Sequence, residues 1–116
     1  MDSINDTIVA LCSGGVKAAI SVIRVSGNDA FLIVDKIFTN KKNHEHQHVY
    51  YGHIKDNDEI IDEVMVTYYY SPKSFTAEDM VEISCHGNLL IVKKIIGLLI
   101  KNGARLAKNG EFSKRA

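Results

Sequence analysis

In Ser74-Phe75-Thr76-Ala77-Glu78-Asp79-Met80-Val81-Glu82-Ile83-Ser84-Cys85-His86-Gly87-Asn88 the second half alternates as a β-strand, and the rest of the chain is arranged around it. Side chains alternate along extended backbone, so Val81, Ile83 and Cys85 share one face while Glu82, Ser84 and His86 share the other. The turn-like Ser74-Phe75-Thr76-Ala77-Glu78-Asp79 leads into this strand, and Gly87-Asn88 leads out of it into an apolar helix. Glu82 is therefore a carboxylate held mid-strand between two branched apolar residues. Such a group must find hydrogen-bond donors or bear a heavy desolvation cost.

Upstream, Asp6-Thr7-Ile8-Val9-Ala10-Leu11-Cys12 reads as a short buried strand, and Ser13-Gly14-Gly15 as a turn whose glycines admit unusual backbone angles. Residues 18–26 follow as a β-branched, nearly uncharged strand. Arg24 is its exception, and an Arg in such a place snorkels to an edge or meets an anion. Asn28 is placed to cap a helix, and Ala30, Phe31, Val34, Ile37 and Phe38 fall on one helical face. Residues 39–48 form a polar loop. Residues 49–54 and 60–70 are two strands joined by the turn Lys55-Asp56-Asn57-Asp58-Glu59, which makes a hairpin.

Beyond the opening strand, residues 89–102 carry too many apolar side chains for one stripe, so this helix is expected to be covered on most sides, by the sheet and by another subunit. Gly103 ends it at the C′ position, residues 104–107 offer a last short strand, and Gly110 to Ala116 begins a further element. The order strand-strand-helix-strand-strand-strand-helix-strand predicts a single α+β domain over 1–116. Its sheet is largely antiparallel, of about five strands, with two or three helices.

The 116 residues suffice for one core, and an apolar fraction of 46% with a charged fraction of 24% is ordinary for a globular domain. Fourteen basic residues balance fourteen acidic ones, so no global field draws nucleic acid or an anionic membrane. Cys12 and Cys85 lie far apart without ligand-spaced neighbours and are expected to be reduced, partly buried thiols of a cytoplasmic protein. No leader-like start and no apolar run of about 18 residues appears, so secretion and membrane insertion are unsupported.

No phosphate-binding GxxxxGK[ST] loop is present, and no GxSxG, HExxH or CxxC. No catalytic residue is assigned. His44, His46 and His48 would share a face if their segment were a strand, which makes a metal-dependent enzyme conceivable. Their place in a polar loop beside Lys41 and Lys42 favours solvation, and no metal is expected. Of Tyr68-Tyr69-Tyr70 at most two share a face, which suits core packing and a sheet edge better than a base-stacking platform. Arg24 and Glu82 remain. They are an ion pair, two unrelated strand-edge charges, or the walls of a pocket in which a carboxylate accepts two parallel N–H donors, as a pterin or guanine edge would offer.

Several blocks together resemble the amino-terminal domain of MnmE, also called TrmE, the bacterial and organellar tRNA-modification GTPase. They are Asp6-Thr7-Ile8-Val9-Ala10, Ile20-Ser21-Val22-Ile23-Arg24-Val25-Ser26-Gly27, Tyr51-Gly52-His53-Ile54, Asp62-Glu63-Val64-Met65-Val66, residues 74–87 and Gly110-Glu111-Phe112-Ser113-Lys114-Arg115-Ala116. The resemblance implies a fold similar to the folate domain of the glycine-cleavage T protein, binding of 5-formyl- or methylene-tetrahydrofolate, and homodimerisation. Arg24 and Glu82 match the family's folate-contacting arginine and glutamate.

A folate-contacting lysine and a reactive cysteine of the family would lie beyond Ala116, so the chain reads as a domain excised from a longer protein, not an enzyme alone. The helical and GTPase domains, with their GTP, magnesium and potassium, would be absent from it. In the family the whole protein acts with MnmG on C5 of the tRNA wobble uridine, and the balanced charge argues against a large tRNA contact by this domain. The alternative is a dimerisation module without a working ligand site. Ser13-Gly14-Gly15-Val16-Lys17-Ala18 departs from the family's Thr-Pro-Pro-Gly-Glu/Arg-Gly.

Overall fold

Two central strands lie side by side and antiparallel: β2 (Ile20–Ser26) and β5 (Met80–His86). Residues 6–13, 19–41 and 43–116 are described by the computed structural model. Around that pair, β1 (Ile8–Ser13), β3 (Val49–Asp56), β4 (Glu59–Tyr69) and β6 (Arg105–Leu106) complete one sheet of order β3-β4-β5-β2-β1-β6. Every neighbouring pair is antiparallel except β1 with the two-residue β6. The architecture is the α+β domain with a largely antiparallel sheet that the element order predicts, with six strands among the described residues. The turn expected at Gly14-Gly15, and the family departure through Ala18, lie outside those residues.

Helices α1 (Ala30–Asp35) and α2 (Leu89–Lys101) cover one face of the sheet, and α3 (Glu111–Arg115) lies near the end of the chain. The covered face is the apolar half of each alternation. Ile23 and Val25 of β2, Val64, Val66 and Tyr68 of β4, and Val81, Ile83 and Cys85 of β5 pack there against Ile33, Val34, Val92, Ile95 and Leu99. Burying each such aliphatic side chain contributes about 1.5–3 kcal/mol, which is why the register is held so firmly. No helix among the described residues is long and apolar enough to cross a membrane.

Two local expectations are corrected. Asn28 does not cap α1: Asp29 stands at the N-cap with no side-chain bond, and its amide donates to the Thr7 hydroxyl at 3.1 Å. The helix also stops at Asp35, because Ile37 and Phe38 reach the core from a turn and Phe38 bridges Ile54. Within the chain, α2 packs against the sheet along one side. Val92, Ile95 and Leu99 are buried, whereas Leu89, Leu90 and Ile100 face outward beside Lys93, Lys94 and Lys101. Asn88 caps this helix by accepting the amides of Leu90 and Ile91, and Gly103 follows its end at φ 121°, a region favouring glycine.

Charge ties α3 to the body. Arg105 holds Glu111 through two N–H donors at 3.0 and 2.7 Å, and Arg115 donates to Glu111, to Glu78 and to the Asp6 carbonyl. Arg105 keeps the Glu111 carboxyl at about 2, against 4.5 ordinarily. A carboxylate with a depressed folded pKa adds stability that is complete above its unfolded value and lost as pH falls through the folded one. Denaturation midpoints should therefore fall between pH 4.5 and pH 2. Glu111→Gln should be less stable at pH 7 and flatter across that window, and an unaltered slope would show that another carboxylate is responsible.

Candidate functional site

The face opposite the helices carries the charged halves of the same strands. Register places Arg24 directly across from Glu82, and Thr67 across from Glu82 on the other side. The two sequence-predicted site residues are thus brought together. Arg24 donates through Nε at 3.0 Å and Nη2 at 2.6 Å to Oε2 of Glu82, and both side chains are about one-fifth exposed. The other carboxylate oxygen, Oε1, accepts the Tyr69 hydroxyl at 3.1 Å. Burial, and next the Glu82 charge, push the Tyr69 phenol above its usual pKa, so it stays a donor at neutral pH.

Residues 71–79 fold over this end of the open face. Phe75 sets its ring 4.9 Å from Arg24 Cζ, a cation–π contact. Thr76 is buried, sharing a 2.5 Å hydrogen bond with Ser26, whose hydroxyl also donates to Glu78 at 2.8 Å. Gly27 permits the tight packing behind: its φ is 143°, and a Cβ there would lie 2.6 Å from Thr7 Cα. A groove of about 380 Å³ results, lined by Arg24, Gln47, Tyr69, Lys73, Phe75 and Glu82. A volume of that order suits a small flat ligand.

A second depression of about 440 Å³ lies further along the same face, lined by Ile20, Val49, Tyr51, Met65, Thr67 and Ser84. Ile20, Val49, Tyr51 and Met65 are each more than half exposed. His86 borders it, fixed by Asp62, which accepts both the His86 amide at 2.8 Å and its Nδ1 at 2.7 Å.

The histidines of the 39–48 loop do not converge. His44 is no solvated residue: it is buried, stacked on Tyr68 at 4.0 Å and 4°. His46 Nδ1 accepts the Tyr70 amide, and His48 lies near Glu45. No group of three potential ligands able to hold a metal occurs among the described residues. Tyr68 is core and Tyr70 lies at the rim, so the triple tyrosine is no platform. Of the two thiols, Cys85 is buried, with its pKa pushed up to about 11 by burial, whereas Cys12 is exposed rather than partly buried.

Sequence reading missed Tyr69, Phe75 and Glu78 as site members. Tyr69 was legible in principle, since hairpin and strand parity put it on the Glu82 face. Phe75 sits in a loop without periodicity, and no pattern points to it.

The family model described as "GTP-binding protein TrmE N-terminus" matches residues 7–116. Among curated proteins, the chain is similar to the "tRNA modification GTPase MnmE" of three bacteria. With that of Lachnoclostridium phytofermentans it is 46% identical, over 96% of the chain and 26% of the relative. With that of Listeria welshimeri it is 48% identical, over 96% and 25%, and with that of Fervidobacterium nodosum 50%, over 99% and 26%. The chain thus spans about a quarter of the length of these relatives.

The ion pair itself is testable apart from any ligand. Arg24→Ala strips a partly buried carboxylate of two charge-assisted donors and should destabilise by roughly 1.5–3 kcal/mol. The double variant Arg24→Ala with Glu82→Ala should lose less than the sum of the two single ones. Additive losses in a urea-denaturation cycle would show the contact to be energetically idle.

Proposed function

Because the chain belongs to the family of TrmE amino-terminal domains, we propose that it is the tetrahydrofolate-binding and homodimerisation module of a tRNA-modification GTPase. The observation that carries this reading is the pair of Arg24 and Glu82 facing an open groove, in a chain matched to the family from residue 7 onward. The groove chemistry fits the ligand. A pterin presents an exocyclic amino group beside a ring N–H, and a carboxylate is the side chain that accepts both with charge assistance. Glu82 holds that amino edge, and Arg24 faces the folate from the neighbouring strand. Either 5-formyl- or methylene-tetrahydrofolate would be the one-carbon form.

The open sheet face supports homodimerisation better than α2 does. Ile20, Val49, Tyr51 and Met65 form an apolar patch there, next to the groove. This face also supports the second reading, a dimerisation module with no working ligand site. In the longer protein, GTP hydrolysis with magnesium and potassium belongs to a GTPase domain outside this chain. The whole would act with MnmG on the wobble uridine of tRNA, in the cytoplasm, with this domain making no large tRNA contact.

Titration calorimetry with 5-formyltetrahydrofolate decides between the readings. Binding by the wild type and its loss in Glu82→Ala is the expected result, and undiminished binding in Glu82→Ala would sink the site assignment. Sedimentation tests the dimer: Met65→Asp should shift a wild-type dimer toward monomer at micromolar concentration, and a monomeric wild type would remove the dimerisation claim.

A further inference from the structure

Arg24, Glu82, Tyr69 and Phe75 together make a cradle for a guanidine group. The guanidinium edge meets a carboxylate through two N–H donors, Tyr69 fixes the far oxygen of that carboxylate, and the Phe75 ring lies against the guanidinium. Phe75 is nevertheless 49% exposed, so much of its ring still faces the groove it shares with Lys73 and Gln47. The amino-bearing edge of a reduced pterin is itself a guanidine closed into a ring. One carbon there bears three nitrogens, with an N–H beside an NH₂, on a flat π surface. It offers Glu82 and Phe75 the same two contacts that Arg24 makes.

We infer that this cradle recognises the guanidine edge as a chemical class, that Phe75 is the face on which the pterin stacks, and that Arg24 holds the place the pterin edge takes on binding. The inference rests on the folate reading above and adds two things to it: a specificity-determining residue, and an exchange in place of simple addition. The exchange conserves hydrogen bonds at Glu82, which trades two guanidinium N–H donors for two pterin ones while keeping the Tyr69 hydroxyl. The ion pair given up is partly exposed and therefore screened, and the released guanidinium regains water or the anionic parts of the ligand. The Phe75 ring that Arg24 leaves would be free to stack on the pterin, a geometry aromatic rings favour.

Calorimetry with 5-formyltetrahydrofolate on the wild type, Phe75→Ala, Phe75→Leu, Phe75→Trp and Glu82→Ala tests this. Phe75→Ala and Phe75→Leu should each weaken binding roughly five- to a hundredfold, the range of an aromatic stacking contact. Phe75→Trp should restore it, which a role in volume filling alone would not produce. Methylguanidinium should raise the apparent Kd for folate, while tetramethylammonium at equal ionic strength should leave it unchanged. Wild-type binding that is lost in Glu82→Ala but kept in Phe75→Leu overturns the stacking role and leaves the folate reading intact. Indifference to methylguanidinium overturns the exchange. Absence of wild-type binding overturns the folate reading and this inference with it.

Discussion

The antiparallel pairing of β2 with β5 is the constraint from which the other features follow. Its register runs from Ile20 opposite His86 to Ser26 opposite Met80 without a break. That parity sends Ile23, Val25, Val81 and Ile83 to the helices and brings Arg24 against Glu82 on the other side. A slip of β2 by one residue would exchange its faces, turning Arg24 toward the core away from Glu82 and exposing Ile23 and Val25. The cost of burying charge and the gain from burying hydrocarbon push the same way, so the pair is both a product of the register and a guard on it.

The segment that completes the groove is secured from behind by polar contacts rather than by a large apolar contact. Thr76 is the buried pivot, bonded to Ser26 at the end of β2, and Glu78 is held by Ser26 and Arg115. Ala77 between them adopts a left-handed backbone, φ 62°, which a residue with a Cβ accepts only where its surroundings fix it. Arg115 belongs to α3, so the last helix of the chain braces the loop that carries Phe75 without touching the groove. The ion-pair network among Glu78, Arg115, Glu111 and Arg105 thus lies one step behind the site.

Strand alternation made β2, β4 and β5 legible, and it marked Arg24 and Glu82 as the charges needing an explanation. It could not say that they meet, because neighbour order in a sheet is not written in any one strand. Where tertiary contacts override local pattern, sequence reading stopped short. The helical spacing through Phe38 was real, but its last two members reach the core from a turn and a bridge. His44 sits among lysines and polar residues in the sequence, yet the rings of Tyr68, Tyr50 and Phe38 enclose it. The apolar excess of α2 is accounted for by the sheet only at Val92, Ile95 and Leu99; Leu89 and Leu90 stay exposed beside Lys93 and Lys94 within the chain.

A ligand in the groove and a second subunit on the apolar patch would not compete for this surface, because the two adjoin without overlapping. Glu82 and Ser84 are two residues apart on one strand face, about 7 Å, and Ser84 already lines the apolar depression while Glu82 lines the groove. Thr67 lies beside both, paired to Glu82 and bordering the depression. Anything large that covers Ile20, Tyr51 and Met65 therefore ends within one side chain of the carboxylate. It would wall the groove there and lower the dielectric around Glu82, strengthening hydrogen bonds that water now screens. A dimer on this face would thus raise ligand affinity, and by linkage the ligand would tighten the dimer. The apolar patch and the charged pair then act as two parts of one site.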